Sequence, residues 1–341
     1  MYSIIKPILF LFDPEKVHNF TMGFLSRAKI LYPIFRMLYN PGVSENVFIG
    51  GLTFKNRLGL AAGLDKNGAA LEFWNAIGFS HIEAGTVTPL PQPGNDKPRI
   101  FRLKKDKALI NRLGFNNIGA DRIRENILKA RKRIGNEMVI GVNIGKNKDT
   151  PIEKAKDDYV KCMTIMYEAA DYFTINISSP NTAQLRELQK EEHLDELLSE
   201  MEKLNKKLAV EHNVKTKPIF LKIAPDLEES GIGDIYRLAV KSNLTGIIAS
   251  NTTVSRDGLK ESNDESGGLS GKPVQEKSDL VLQKLNELNF QNENDKLVLI
   301  GVGGVFDKND FDNKRNNGAE LVQVYTGFIY EGPRILKKIL N

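Results

Sequence analysis

Tyr172-Phe173-Thr174-Ile175 runs directly into Asn176-Ile177-Ser178-Ser179-Pro180-Asn181-Thr182. The first four residues are aromatic or β-branched, the composition of a buried strand. The next seven hold two amides, three hydroxyls and one proline, so the stretch reads as a strand's carboxyl end opening into a loop. Taken alone, such a loop could be a simple turn, since Ser, Asn and Pro are common turn residues. The residues at the ends of the other strands decide the matter.

From residue 56 onward, short apolar runs alternate with helix-patterned segments, the mark of parallel βα units. Strands are expected at 58–62, 81–84, 139–144, 172–177, 219–223, 246–249, 297–301 and 321–325, with helices such as 157–170, 193–208, 227–242 and 278–288 between them. Eight such units predict an α/β chain of the (β/α)8 TIM-barrel class with a short amino-terminal helical extension. An open doubly wound sheet is the alternative.

In a barrel, chemistry sits at the carboxyl ends of the strands. Past the successive strands come Gly63-Leu64-Asp65-Lys66, Gly85-Thr86, Asn143, the 176–181 loop, Lys222, Ser250-Asn251-Thr252, Gly303-Gly304 and Tyr325-Thr326-Gly327. Every strand ends in glycine or in a hydrogen-bonding or cationic side chain, which points to one site ringed by all eight loops. The seventh and eighth loops are small-residue turns whose N–H groups can approach an anion, where barrels commonly hold a phosphate. Lys222 interrupts the apolar run Phe220-Leu221-Lys222-Ile223-Ala224. Strand alternation turns it toward the barrel interior, where a cation needs an anionic partner.

Composition narrows the class. One cysteine, Cys162, excludes an intramolecular disulfide framework, and the four histidines have no zinc-ligand spacing, so no metal site is expected. A net charge of +5 over 341 residues is mild, and no nucleic-acid partner is expected. Residues 1–42 form a separate segment ahead of a catalytic domain at 43–341, with linkers expected at 43–45 and 261–266. Asp13-Pro14-Glu15 is a helix start, and Val17, Phe20, Thr21, Phe24 and Leu25 share one helical face. Pro33 restarts the helix, after which Ile34, Phe35 and Leu38 continue the apolar face. This segment either packs on its own domain or lies in a membrane surface.

Taken together, 176–182, Ala61-Ala62-Gly63-Leu64-Asp65-Lys66, Asn111-Arg112-Leu113-Gly114-Phe115, Gly267-Gly268-Leu269-Ser270-Gly271, Gly85-Thr86 and Pro91-Gln92-Pro93-Gly94-Asn95-Asp96-Lys97-Pro98 resemble the dihydroorotate dehydrogenases. The resemblance is to the membrane-associated, quinone-dependent class 2. It implies oxidation of (S)-dihydroorotate to orotate in pyrimidine (UMP) synthesis, with one FMN per chain and a quinone as acceptor. It further implies a peripheral membrane protein on the cytoplasmic face of a bacterial inner membrane, expected as a monomer.

Carried over residue by residue, the resemblance makes Ser179 the catalytic base, with Thr182 passing its proton on. The soluble classes carry cysteine there, so Ser178-Ser179-Pro180-Asn181 is the class marker. Substrate contacts fall to Lys66, Asn111, Arg112, Leu113, Gly114, Phe115, Asn176, Asn181, Asn251 and Thr252. Flavin contacts fall to Ala62, Gly63, Leu64, Asp65, Lys66, Thr86, Asn143, Asn176, Lys222, Ser250, Gly271, Gly304, Tyr325 and Thr326. His18 and Arg102 approach the quinone, His18 beside Phe20 and Phe24 in a tunnel between two amino-terminal helices. A soluble relative of the family, a tRNA-modifying flavin barrel and a non-catalytic scaffold are the rival readings.

Overall fold

The structure is a computed structural model; it describes residues 2–42, 45–182, 184–260, 263–292 and 295–341. Its strands are β1 (Val47–Ile49), β2 (Leu52–Phe54), β3 (Leu58–Leu60), β4 (His81–Val87), β5 (Ile100–Leu103), β6 (Ala108–Asn111), β7 (Val139–Ile144), β8 (Tyr172–Asn176), β9 (Ile219–Ile223), β10 (Gly246–Ala249), β11 (Gly268–Gly271), β12 (Val298–Val302) and β13 (Leu321–Val324). Eight of them close a parallel barrel in the order β10-β12-β13-β3-β4-β7-β8-β9. These are the eight expected strands, each within two or three residues of its expected bounds. They read clearly because helices cover the outside and side chains fill the inside, leaving nearly continuous apolar runs.

The helices on the outer face include α6 (Ala155–Met166), α7 (Glu191–Glu211), α8 (Glu229–Lys241) and α9 (Gln275–Gln291), which match the four expected ones. Preceding them are α4 (Leu71–Ile77) and α5 (Ala120–Ile134); α10 (Lys308–Asn316), α11 (Thr326–Glu331) and α12 (Ile335–Leu340) complete the ring. In α5, the buried stripe Ile123, Ile127, Ala130 and Ile134 recurs at helical spacing, and Gly119 and Gly135 flank the helix.

Two small sheets were not expected. The β1–β2 hairpin closes the amino-terminal mouth of the barrel, its Ile49 and Phe54 joining Val139, Tyr172, Phe220 and Leu321 in an interior cluster. The antiparallel sheet β5-β6-β11 stands over the opposite mouth, pairing Gly268 with Asn111 and Gly271 with Ala108. It brings two distant motifs, 111–115 and 267–271, side by side.

Three helices precede the barrel: α1 (Tyr2–Leu9), α2 (Pro14–Arg27) and α3 (Tyr32–Tyr39). Asp13 caps α2, accepting from the Lys16 N–H at 2.8 Å, and Pro33 lies in the first turn of α3 as expected. The single apolar face expected for α2 is in fact two. Leu25 is buried and Val17 and Thr21 line a cavity, whereas Phe20 and Phe24 are 72% and 47% exposed. In α3, Phe35 packs edge-on against Phe73 at 5.5 Å, while Ile34 and Leu38 face out. α1 was not expected at all; Tyr2 donates to the Ile329 carbonyl and Lys6 to that of Tyr330.

Val43 and Ser44, in the first expected linker, and Glu261 and Ser262, in the second, lie outside the described residues. The rest of the second segment is tied down, for Glu265 pairs with Arg112 at 2.5 Å. Among the described residues, no helix is long and apolar enough to cross a membrane.

Candidate active site

The carboxyl ends of the barrel strands surround an open cavity of about 960 Å³. Beneath its floor lies a polar layer inside the barrel. Glu83 accepts from Gln323 Nε2 at 2.7 Å and Asn143 Nδ2 at 3.1 Å. Asn143 Oδ1 then accepts from Thr86 Oγ1 at 2.6 Å and from Asn176 Nδ2 at 3.1 Å. Asn143 is thus fully buried below the cavity rather than on its wall, fixing the two residues that do reach it. Lys222, beside Asn176 in register, has its pKa pushed down by burial, with the Glu83 charge opposing. Glu83 and Gln323 were missed in the sequence. Each is a polar residue inside an apolar strand, the same signal that singled out Lys222.

One side of the cavity is built of amides and hydroxyls. Asn181 Nδ2 donates to Asn111 Oδ1 at 3.3 Å, and the Asn181 N–H to Ser179 Oγ at 3.3 Å. Asn251 Nδ2 donates to Ser178 Oγ at 2.9 Å and to Asn176 Oδ1 at 3.4 Å. Thr252, Leu113, Gly114 and Phe115 complete this side with Lys66, whose Nζ donates to Asn116 Oδ1 at 2.6 Å. Burial, then the nearby Arg99 charge, brings the Lys66 pKa down to about 7. Ser179 is buried on this wall, and Thr182 Oγ1, buried three residues further along the same loop, has no hydrogen-bond partner among the described residues.

The opposite side is made of backbone. Gly271, Gly303 and Gly304 have φ of 103°, 117° and 75°, conformations open to glycine but strained for other residues. A Cβ on Gly304 would stand 2.3 Å from Gln275 Cβ, and one on Gly271 2.3 Å from the Lys107 carbonyl. Ala62, Gly63, Ser250, Tyr325 and Thr326 also line the cavity, and Thr326 Oγ1 shares a 2.8 Å hydrogen bond with Ser270 Oγ. A buried cation facing an amide-lined wall, with an anion-sized cradle of close-packed glycines beside it, fits a flat heteroaromatic ring carrying a phosphate.

Besides Asn143, three residues expected at the site lie off the cavity wall. Asp65 is buried beneath its loop, where its carboxylate accepts from the Ala69 and Ala70 N–H groups and from Trp74 Nε1 at 2.7, 2.8 and 3.0 Å. Arg112 points away to Glu265 and stacks over Phe101 at 4.7 Å. Leu64 faces a second, apolar cavity of about 820 Å³ under α1 and α2. Tyr325 lines both cavities.

His18 and Arg102 line that second cavity with Tyr2, Phe10, Val17, Thr21, Leu25 and Ile329. Phe20 and Phe24 do not, because they project from the other side of α2. Burial, then the Lys66 charge, pulls the His18 pKa to about 4, so its imidazole is neutral. Arg102 donates to the Phe12 carbonyl at 2.8 Å and sits 4.5 Å over the Phe10 ring.

Residues 45–341 match the family model of dihydroorotate dehydrogenase. The chain belongs to the dihydroorotate dehydrogenase family. Two similar relatives are named dihydroorotate dehydrogenase (quinone). That of Idiomarina loihiensis is 48% identical over 342 residues, covering 100% of this chain and 99% of the relative. That of Vibrio parahaemolyticus is also 48% identical, over 344 residues, with the same coverage. A crystal structure of the Eimeria tenella dihydroorotate dehydrogenase in complex with ferulenol superposes with a TM-score of 0.86 at 37% identity, covering 96% of this chain and 89% of that one. Against this family, the barrel, the amino-terminal helices and the oxidoreductase class read from the sequence all stand.

Proposed function

We propose that this chain oxidises (S)-dihydroorotate to orotate in pyrimidine synthesis, with FMN as its redox cofactor and a membrane quinone as electron acceptor. The observation that carries this is the pair of cavities meeting at Tyr325, one polar and holding Ser179, the other apolar and roofed by α1 and α2. Two substrates of opposite polarity can thus approach one cofactor from two sides.

FMN, when bound, supplies the acceptor for the hydride that leaves dihydroorotate. Gly303, Gly304 and Thr326 would hold its phosphate, and Thr86, Asn176 and Lys222 would hold its ring. Ser179 Oγ takes the proton from the neighbouring ring carbon. A serine hydroxyl is a poor base in water, so it needs a shielded position and somewhere to pass the proton. Its burial, and a buried Thr182 hydroxyl three residues on that has no hydrogen-bond partner among the described residues, support that role. Asn111, Asn181, Asn251 and Thr252 offer donors and acceptors to the ring edge, and Lys66 meets the carboxylate. Lys222 would offer that cofactor a cation to offset the negative charge gained on reduction.

Residues 1–42 serve as the quinone-binding and membrane-docking segment, and 43–341 as the catalytic domain. Ile4, Ile8, Leu11, Phe12, Phe20, Phe24, Ile30 and Met37 are all exposed on α1–α3 and their connections, which supports a protein resting peripherally on a membrane. In this reading the membrane is the bacterial inner membrane, met from its cytoplasmic side. The chain acts as a monomer. An anaerobic visible spectrum tests the central reading: a yellow protein that bleaches on adding dihydroorotate supports it, and a colourless or unbleached one refutes it.

A further inference from the structure

The Gly303–Gly304 turn rests on a buried cation that the proposed reaction does not use. Lys314, on α10, has a fully buried side chain. Its Nζ donates to Ser278 Oγ at 2.5 Å and lies 2.6 Å from Asp279 Oδ1. Ser278, on α9, donates in turn to the Val302 carbonyl at 2.5 Å, which also accepts from the Ser250 N–H at 3.0 Å. Ser278 backs directly onto the turn, since a Cβ on Gly303 would stand 3.0 Å from its Oγ. The line from Lys314 therefore ends on the Val302–Gly303 peptide, whose N–H belongs to a residue of the cavity wall.

The direction of the charge matters. Asp279, the outer member of the pair, keeps 15% of its side chain exposed against 0% for Lys314, so the positive end points inward. The neighbouring Asp310 is already held by Lys272 and Gln275, each at 2.7 Å. A buried ion pair is a poor source of stability, because apolar residues of the same volume often do as well or better. Hydrogen bonds in series polarise one another, so a carbonyl fed by an ammonium through a hydroxyl makes its peptide N–H a stronger donor.

We propose that Lys314 is a positioning residue for the cofactor's phosphate, its charge relayed through Ser278 and the Val302–Gly303 peptide to the amide cradle. This rests on the proposed flavin site, and the test separates the two. The full chain is titrated by flavin fluorescence with FMN and with riboflavin, which has the same ring and ribityl chain but no phosphate. Lys314→Met and Ser278→Ala each raise the FMN dissociation constant roughly three- to tenfold, the worth of one hydrogen bond, and leave riboflavin binding unchanged. Equal loss of both flavins in Lys314→Met and Ser278→Ala overturns the proposal. Should Lys314→Met not fold, Ser278→Ala decides by the same comparison. A wild-type chain that binds neither flavin overturns the cofactor reading itself.

Discussion

Arg99 grips Glu15 with two parallel hydrogen bonds, Nε to Oε2 at 3.0 Å and Nη2 to Oε1 at 2.7 Å, and so fastens α2 to the loop over the substrate side of the cavity. Its remaining nitrogen donates to the Pro93 and Asn95 carbonyls, both at 2.7 Å. Asn95 Nδ2 then reaches the Arg112 and Asn181 carbonyls, both at 3.0 Å. A helix that lines the apolar cavity is thereby joined, through four residues, to the loop that carries Ser179.

Arg99→Met cuts this connection. Burial favours protonated Glu15, but the hydrogen bonds and charge of Arg99, with Lys97, outweigh it and hold the carboxyl below its usual range. The contribution of that pair is present above the unfolded carboxyl pKa and is lost as pH falls through the folded one, so at neutral pH the variant forfeits it fully. Unfolding in denaturant should show a loss of about 3 kcal/mol. The KM for dihydroorotate should rise about tenfold at saturating quinone with the flavin retained, as expected when buried hydrogen bonds to a binding loop are lost. An unchanged KM would show that the cap holds its shape without α2.

Ser179→Ala should lower turnover by about 10²–10⁴, the usual worth of a positioned base, while leaving flavin bound. Stopped-flow bleaching by dihydroorotate measures this directly. Retained bleaching at the wild-type rate removes Ser179 from the proposed role.

The Lys66 ammonium, with a pKa near 7 in the free site, should make ligand binding pH-dependent. Only its protonated form pairs with a carboxylate, so affinity is full below about pH 7 and falls up to tenfold per unit above it until the complex itself titrates. Orotate titrations followed by flavin absorbance across this range give the slope. In Lys66→Met the binding should be weak and its pH dependence flat.

Removing residues 1–40 should cut quinone reduction about a hundredfold, the cost of misplacing a reactant, yet leave bleaching at saturating dihydroorotate much closer to normal. The two half-reactions, measured separately, decide it. Equal losses in both would count against an acceptor site under α1 and α2.

Local pattern carried the barrel because each of its strands is buried on both sides and announces itself as an apolar run. It also carried Lys222, whose charge stands out inside such a run. The β5-β6-β11 sheet was not legible. Ile100–Leu103 is only four residues with an arginine among them, Gly268–Gly271 is half glycine, and the pairing of β11 with β6 spans more than 150 residues of chain. For α2, helical spacing located Phe20 and Phe24 but could not say which of two apolar stripes meets the barrel. Asp65 and Arg112 share motifs with cavity residues, and motif membership says nothing of which way a side chain turns.

The contact between Tyr2 and Ile329 has a consequence for synthesis. These residues stand 327 positions apart, and the Tyr2 ring also lies where a Cβ on Gly332 would be. At roughly 5–20 residues per second, α1 waits tens of seconds on the ribosome before its seat exists. Throughout that interval Tyr2 and Leu9, its residues that line the apolar cavity, are uncovered, available to a chaperone or to a lipid bilayer. The apolar cavity is thus among the last parts of the molecule to close, assembled after the barrel strands that carry the polar one.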